Sequence, residues 1–323
     1  MVEPIAQLVP AASARTFTAR IADNVEKAVV GKRSQIEMAI AALVARGHLL
    51  IEDVPGVGKT TLAHALAKSF DLSFSRIQFT SDLLPSDIVG AEVYDPKTAT
   101  FEFRAGPVFA QLVLADELNR APARTQSALL EAMSDGQVSM DGRTRPLPQP
   151  FAVLATQNPL EQAGTYPLPD SQLDRFAVRI TLGYPPSEAE RNLLLHRGLA
   201  EPLRALTPVA RASDLVGLQA AAAAVKVDPS IADYLLALVR ATRESPILGC
   251  GVSTRGGLAL QAVAKAHALI QGRDFVVPDD VRIFAIPCLA HRVAMSGRDA
   301  SSADRRDAER ALEALISRIE VPQ

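Results

Sequence analysis

The order of hydrophobic and polar positions divides the chain into two parts. In the first part, short apolar runs alternate with stretches in which apolar residues recur every three or four positions. Short apolar runs are typical of strands buried in a parallel sheet, and the wider spacing is typical of amphipathic helices. The runs that predict such strands are 48–51, 75–80, 112–117, 151–158 and 176–180. This alternation predicts an α/β fold with a parallel sheet and crossover helices.

Two hairpins are predicted to interrupt this layering. Segments 92–94 and 101–104 flank a turn at 95–98, and segments 137–140 and 144–145 flank Asp141 and Gly142. Alternating runs on either side of a turn are typical of antiparallel strand pairs. Further helices are predicted at 15–30, 33–45 and 123–133.

The second part of the chain has helical spacing throughout. It follows Tyr184, Pro185 and Pro186, which break the alternating pattern, and its predicted helices are 187–199, 213–225, 229–244, 253–270, 278–294 and 303–319. Pro287 is expected to kink or end the fifth of these helices. We therefore predict two domains: an α/β domain over 1–184 and an all-α domain over 185–323.

Composition and charge argue against several classes of function, namely nucleic-acid coating, metal binding by Cys or His, and membrane insertion. The 323 residues are 48% hydrophobic and 22% charged, as in an ordinary globular protein, and the net charge of −2 gives no basic excess for nucleic acid. The two cysteines and five histidines show no metal-ligand spacing. No basic segment precedes an apolar run at the start, and no run is long enough to span a membrane. These features predict a cytoplasmic protein without membrane insertion.

A glycine-rich segment between the first predicted strand and the next helix is the strongest chemical signal. Glycine tolerates the dihedral angles that let backbone N–H groups surround an anion, and the helix start adds further donors. Lys59 is predicted to reach the β- and γ-phosphates of a nucleoside triphosphate, and Thr60 to bind Mg²⁺. The alternative is a glycine turn before an ordinary helix. The candidate cofactor-binding residues here are Asp53, Pro55, Gly56, Val57, Gly58, Lys59, Thr60 and Thr61.

Two features around this segment are less specific. Asp53 stands where the phosphate-binding pattern usually has its first glycine. The turn at Val30 and Gly31 is a candidate cover for the adenine ring, and an ordinary helix–helix turn is an equal alternative.

Paired acids end the third predicted strand. Asp116 and Glu117 supply one carboxylate for the Mg²⁺ shell and another to orient or deprotonate the attacking water, as triphosphate hydrolysis requires. We expect their strand to lie beside the strand that precedes the glycine segment. Asn158 ends the next strand, where its neutral amide is suited to hold that water; the alternative is a turn cap.

Two arginines are candidates for contacts with phosphate. Arg175 precedes the last strand of the first domain and is a candidate finger supplied to a neighbouring subunit, with a surface salt bridge as the alternative. Arg255 lies in the first turn of a predicted helix, where the helix dipole disfavours a cation. Its position there favours an anion partner.

These segments together resemble the MoxR family of AAA+ ATPases over nearly the whole chain. The shared strings are Leu50 to Thr60, Ala115 to Pro122, Ala155 to Pro159, Gln162 to Pro169 and Leu173 to Phe176. The resemblance implies an AAA+ core with a helical lid domain and a ring, usually a hexamer, with ATP between subunits. It also implies that the hairpins are the helix-2 insert and the pre-sensor-1 hairpin.

The resemblance also assigns roles to single residues. It implies Walker A at Lys59 and Thr60, Walker B at Asp116 and Glu117, sensor 1 at Asn158, the arginine finger at Arg175 and sensor 2 at Arg255. Leu118 and Thr254 replace residues common in the family, an isoleucine and a proline.

The expected function is ATP hydrolysis that remodels or matures a protein client, with a von Willebrand A domain protein as partner. One rival is a related motor that acts on nucleic acid, for which Arg143 and Arg145 near the second hairpin tip are candidate contacts, or that serves a metal chelatase. Another rival is a nucleotide-gated binding module with negligible turnover.

Overall fold

A computed structural model describes residues 9–140, 142–159, 164–196, 202–296 and 302–322. The strands in chain order are β1 (His48–Glu52), β2 (Phe74–Gln78), β3 (Gly90–Asp95), β4 (Thr100–Ala105), β5 (Leu112–Asp116), β6 (Gln137–Met140), β7 (Arg143–Pro146), β8 (Ala152–Gln157), β9 (Phe176–Ile180), β10 (Leu248–Cys250) and β11 (Ala294–Met295). The helices are α1 (Ala11–Glu26), α2 (Arg33–Val44), α3 (Lys59–Ser69), α4 (Pro85–Val89), α5 (Ala123–Asp135), α6 (Asp170–Leu173), α7 (Ser187–His196), α8 (Pro202–Ala205), α9 (Ala212–Ala224), α10 (Pro229–Glu244), α11 (Thr254–Ile270), α12 (Pro278–Leu289) and α13 (Ser302–Ile316).

Three predicted features lie partly outside the described residues. They are the tip of the second hairpin at Asp141, the segment containing Gln162 and Ala163, and the end of the helix predicted to reach Leu199.

The central sheet is parallel and has the strand order β2-β5-β8-β1-β9. The predicted parallel sheet is therefore confirmed. The expectation that the acid-ending strand lies beside the strand before the glycine segment is wrong, because β8 pairs with both β1 and β5. Strand order is set by the crossover connections and by packing across the whole sheet, and no local pattern encodes it.

Alternate residues of the strands pack on opposite faces of the sheet. Leu49 and Ile51 face a core that includes α1, α2, α3 and the helices of the second part. Leu50 faces a separate core that includes α5 and the residues before it. Both faces are covered, which explains why β1, β5 and β8 are buried along their whole length. The carboxyl ends of these strands meet at one edge.

The hairpins form as predicted. In β3–β4, Tyr94 pairs with Phe101, and in β6–β7, Val138 pairs with Arg145. Arg145 also connects the two hairpins, because its guanidinium lies 3.8 Å from the centre of the Phe103 ring and its Nη2 lies 3.3 Å from Glu92 Oε1.

The described residues of the second part are mainly helical and include one short strand pair that the sequence did not predict. In this pair, β10 runs antiparallel to β11, with Leu248 opposite Met295. Strands this short give no readable alternation of apolar and polar residues. Pro287 lies inside α12, which ends at Leu289 and is followed by a 3₁₀ turn from Ala290 to Arg292.

Candidate functional site

The glycine segment forms an open loop between β1 and α3. Gly56 and Gly58 have φ angles of 86° and 97°, in the left-handed region that side chains disfavour. A Cβ atom built on either glycine meets nothing within 4 Å, so the space beside the loop is free. The loop therefore offers backbone N–H groups and the start of α3 to an anion. We call residues 53–58 the phosphate loop.

Lys59 lies across the phosphate loop and reaches the neighbouring strand. Its Nζ donates to the carbonyl oxygen of Asp53 at 2.5 Å and to that of Gln157, the last residue of β8, at 3.4 Å. Thr60 follows in the first turn of α3 and is partly exposed. The ammonium group is thus at the carboxyl edge of the sheet.

Both carboxylate oxygens of Asp53 are engaged by backbone N–H groups. Its Oδ1 accepts from Val54 N at 2.8 Å, and its Oδ2 accepts from Gly183 N at 2.6 Å. Asp53 is only 7% exposed. The residue that departs from the usual phosphate-binding pattern therefore ties the loop to the segment that follows β9.

Asp116, the last residue of β5, has both carboxylate oxygens engaged. Its Oδ1 accepts from Thr156 Oγ1 at 2.6 Å, and its Oδ2 accepts from Arg76 Nη2 at 2.6 Å. The carboxylate therefore already holds a cation on one side. A carboxylate and a hydroxyl oxygen are hard ligands of the kind that Mg²⁺ accepts together with phosphate and water, so Asp116 and Thr60 fit that ion.

Glu117 is held in an uncommon backbone conformation. Its φ and ψ are 57° and 48°, a left-handed geometry that costs a non-glycine residue about 1–3 kcal/mol. Its N–H donates to Thr156 Oγ1 at 2.9 Å. Its Oε2 accepts from Gln78 Nε2 at 2.8 Å and lies 2.9 Å from Arg120 Nε.

The carboxyl end of β8 brings these groups together. Lys59 contacts the carbonyl of Gln157. The hydroxyl of Thr156, one residue earlier, contacts the Asp116 carboxylate and the backbone N–H of Glu117. Asn158 follows directly and is 7% exposed. The sheet therefore places Lys59, Asn158 and the two acids along one edge, although their strands are not all adjacent.

Arg175 and Arg255 lie elsewhere. Both line a cavity of about 340 Å³ whose wall includes Gly47 and His48, at the amino end of β1. The phosphate loop follows the opposite end of that strand, and five strand residues span about 16 Å. Within one chain, the structure does not bring these arginines to Lys59.

The cavity carries an excess of positive charge. Its charged lining residues are Arg46, Asp174, Arg175, Arg255 and Arg292. The Asp174 carboxylate is already engaged, because it accepts from Arg292 Nε at 2.7 Å and from Ser253 Oγ at 3.0 Å. Arg175 Nη1 donates to the Leu130 carbonyl at 2.7 Å, and its Nε is buried without a partner. The arrangement suits an anion brought from outside.

The turn at Val30 and Gly31 packs against the segment that enters the second part of the chain. Gly31 has a φ of 70°, and a Cβ on it would come within 2.9 Å of Pro186. Lys32 Nζ donates to the Tyr184 carbonyl at 2.6 Å. Since Gly183 also bonds to Asp53, this turn lies beside the phosphate loop.

The sequence analysis did not identify the residues that hold Asp116 and Glu117, nor two further arginines that line the cavity, Arg46 and Arg292. Arg76 and Gln78 share one face of β2, but their role depends on the pairing of β2 with β5, which no local pattern shows. Thr156 reads as an ordinary buried strand residue. The missed residues are Arg46, Arg76, Gln78, Arg120, Thr156 and Arg292.

The described residues contain no group of three His, Cys, Asp or Glu side chains placed to hold a metal ion by themselves. Among the described residues, no helix has the length and apolar character needed to cross a membrane.

Comparison with known proteins identifies the family. Residues 48–178 match the ATPase family associated with various cellular activities (AAA), and residues 240–315 match the AAA lid domain. The chain is 45% identical to YeaC of Bacillus subtilis over 93% of each chain. It is 41% identical to the chaperone MoxR1 of Mycobacterium tuberculosis over 93% of this chain and 81% of the relative.

The fold is also similar to a solved structure. A crystal structure of a presumed ATPase from Cytophaga hutchinsonii superposes with a TM-score of 0.86 at 36% identity and covers 97% of both chains. An AAA+ α/β core followed by a helical lid domain is therefore shown, and nucleotide binding is implied for the core. The chain belongs to the MoxR family of AAA+ ATPases.

Proposed function

We propose that the protein hydrolyses ATP with Mg²⁺ at the carboxyl edge of its sheet. The observation that carries this proposal is the convergence on β8, where Lys59 contacts the Gln157 carbonyl and the Thr156 hydroxyl contacts the Asp116 carboxylate and the Glu117 backbone N–H. A triphosphate on the phosphate loop would place its γ-phosphate between the ammonium group and the two acids. That is the arrangement that phosphoryl transfer to water requires.

Each residue at this edge has a separate task. The backbone N–H groups of residues 56–61 and the Lys59 ammonium bind the phosphates, and Pro55 shapes the turn without donating. Thr60 and Asp116 hold Mg²⁺, which would neutralise developing charge on the phosphate oxygens. Glu117 orients and deprotonates the attacking water, and Asn158 aligns that water through its amide without adding charge.

The arginines act on the nucleotide of a neighbouring subunit. Arg175 and Arg255 share the cavity at the amino end of β1 and lie far from the phosphate loop of their own chain. A ring that packs this cavity against the next subunit's phosphate loop would complete each site. This geometry supports a closed ring, with a hexamer as the proposed size. We propose that Arg255, like Arg175, contacts the nucleotide bound by the neighbouring subunit.

The nucleotide base is proposed to lie against the turn at Val30 and Gly31. This turn contacts the segment 183–186, where we place the boundary between the domains at 184. A base bound there would contact both domains, so that the orientation of the lid could respond to the nucleotide.

The work done with ATP is proposed to be chaperone-like remodelling of a protein client, together with a von Willebrand A domain partner. Support comes from the relative named as a chaperone, MoxR1. The nucleic acid alternative has less support, because Arg145 is engaged by Glu92 and Phe103, and Arg143 lies 3.9 Å from Glu92.

The test is steady-state phosphate release with ATP and Mg²⁺, compared between the wild type and Glu117→Gln. We expect the variant to bind ATP normally and to lose roughly 10²–10⁴-fold in turnover, the usual contribution of a positioned base. Glu131→Gln, on the exposed face of α5, is the matched control and should keep the wild-type rate. Absence of hydrolysis by the wild type, or equal rates for Glu117→Gln, would overturn the proposal.

A further inference from the structure

We propose that Thr156 is a positioning residue that sets the geometry of both acids through one hydroxyl group. The inference rests on the proposed ATP hydrolysis at this edge and gives a role to a residue to which the family resemblance assigns none.

The Thr156 hydroxyl uses both of its hydrogen-bonding capacities on two consecutive residues. It donates to Asp116 Oδ1 at 2.6 Å and accepts from the Glu117 N–H at 2.9 Å. The residue is 0% exposed and lies in β8, between β1 and β5. Water therefore does not compete for either bond, and the two bonds fix the hydroxyl's orientation.

The bond to Glu117 holds a strained turn. Glu117 has a left-handed backbone with a φ of 57°, so its peptide leaves the direction of β5. The Asp116 carbonyl is held from the other side, because it accepts from Phe79 N at 2.9 Å. The peptide group between Asp116 and Glu117 is therefore held on both sides, by the Thr156 hydroxyl from β8 and by the Phe79 N–H from the residue that follows β2. Without the hydroxyl, the Glu117 N–H loses its partner and the turn can relax.

The bond to Asp116 decides which carboxylate oxygen is presented to a cation. Since Oδ1 is used by Thr156, Oδ2 is the oxygen that meets the positive group, which is Arg76 in this structure. A metal ion that replaces the guanidinium would meet the same oxygen. Groups that orient a ligating carboxylate are typically worth about 10–100-fold in metal affinity or activity.

The alternative is that Thr156 has only a packing role in the sheet. The two readings differ for the variants Thr156→Val, which keeps the shape and loses the hydroxyl, and Thr156→Ser, which keeps the hydroxyl and loses a methyl group. A packing role makes Val the milder change. A positioning role makes Ser the milder change.

The experiment measures ATP turnover against Mg²⁺ concentration, and separately Mn²⁺ binding by electron paramagnetic resonance with a non-hydrolysable ATP analogue. For Thr156→Val we expect turnover to fall about 10–100-fold and the half-saturating Mg²⁺ concentration and the Mn²⁺ dissociation constant to rise by a similar factor. Thr156→Ser should stay within a few-fold of the wild type. Unchanged metal dependence in Thr156→Val, or equal defects in Val and Ser, would overturn the inference.

Two controls cover the cases in which Thr156→Val does not fold or the wild type does not hydrolyse ATP. If Thr156→Val does not fold, Thr156→Ala replaces it, since Ala and Ser both lack the methyl group and differ only in the hydroxyl; equal metal affinity in these two variants would then overturn the inference. The Mn²⁺ measurement needs no turnover. A wild type that binds Mn²⁺ with the analogue but does not hydrolyse ATP would therefore refute the proposed function while still testing Thr156.

Discussion

At the residue scale, Asp53 shows how a departure from a motif can have a structural cause. A glycine is usual at this position of a phosphate loop, yet Asp53 is buried and its two carboxylate oxygens accept from Val54 N and Gly183 N. The side chain therefore stabilises the start of the phosphate loop by joining it to the backbone at Gly183. Its contacts are with the backbone of the chain and not with the open space beside Gly56 and Gly58.

Replacing Asp53 by Gly should reduce stability more than nucleotide binding. The change removes two hydrogen bonds to a carboxylate and adds backbone freedom, so we expect a loss of about 1–3 kcal/mol in the free energy of unfolding. Denaturant unfolding and binding of a fluorescent ATP analogue measure the two effects. Asp53→Asn, which keeps one acceptor oxygen, should fall between. Normal stability with lost binding would show instead that the carboxylate acts on the nucleotide.

His48 predicts a pH dependence of stability. Its Nδ1 accepts from Val153 N and its Nε2 lies 3.0 Å from the Met133 carbonyl, so the ring is neutral, and burial lowers its pKa to about 4. The unfolded chain, with an ordinary pKa near 6.5, binds the proton more readily. The stabilisation is therefore complete above pH 6.5 and is lost as the pH falls towards 4.

Between pH 7 and pH 5, this one residue should remove about 2 kcal/mol from the free energy of unfolding. His48→Gln keeps a neutral donor and acceptor and should show a pH dependence that is weaker by that amount. Denaturant unfolding at the two pH values measures it. The same pH dependence in His48→Gln and the wild type would contradict the assignment.

At the residue scale, the sequence indicated which single residues have side chains suited to the proposed chemistry. Lys59, Asp116 and Glu117 could be proposed as site residues because their types and spacing match what a triphosphate needs. Their partners were not predictable. Thr156 and Arg76 are ordinary strand residues until the fold places them beside Asp116, and that placement is a property of strand order.

At the element scale, Arg179 connects three parts of the fold. From β9, its Nη1 lies 3.0 Å from Glu52 at the end of β1, and its Nη2 lies 2.6 Å from Glu309 in α13. The Arg179 and Glu52 side chains are only 12% and 8% exposed. A charged network this well buried is sensitive to the loss of one partner, because the remaining charge stays desolvated.

Arg179→Met should therefore destabilise the protein by about 3–5 kcal/mol, as loss of one partner of a buried pair does. The double variant Arg179→Met with Glu52→Gln should recover part of that loss, because the buried charge is removed as well. Arg191→Met, at an exposed site on α7, is the matched control. Urea unfolding measures all of these. A double variant less stable than Arg179→Met alone would contradict the argument.

Elements were largely predictable and their arrangement was not. The hairpins, the buried strands and the long helices follow from periodicity and turn residues, and they form within the described residues. The helix predicted over 278–294 is shorter than expected, because it ends at Leu289 and Ala294 lies in β11. The position of β8 between β1 and β5 does not follow, because every buried parallel strand presents the same apolar pattern. The pair β10–β11 was missed because strands of this length carry no period.

At the scale of the whole molecule, the candidate site is divided between two ends of the sheet. The phosphate loop and the acids lie at the carboxyl end, while Arg175 and Arg255 lie at the amino end with Arg46 beside them. For Arg175 this separation follows from the parallel sheet, since Arg175 directly precedes β9 and the phosphate loop follows its parallel neighbour β1. For Arg255, in α11, no local pattern shows it. The division means that one chain alone holds only part of each proposed site.

The central claim is that each active site is completed by an arginine of the neighbouring subunit, and mixing two inactive variants tests it most directly. Arg175→Ala keeps the acids and Glu117→Gln keeps the arginine. Each alone should be at least about 10²-fold slower than the wild type. In rings assembled from equal amounts of both, about one quarter of the interfaces pair an intact acid with an intact arginine, so about one quarter of the wild-type rate should return. A mixture no faster than the average of the two variants would contradict the account.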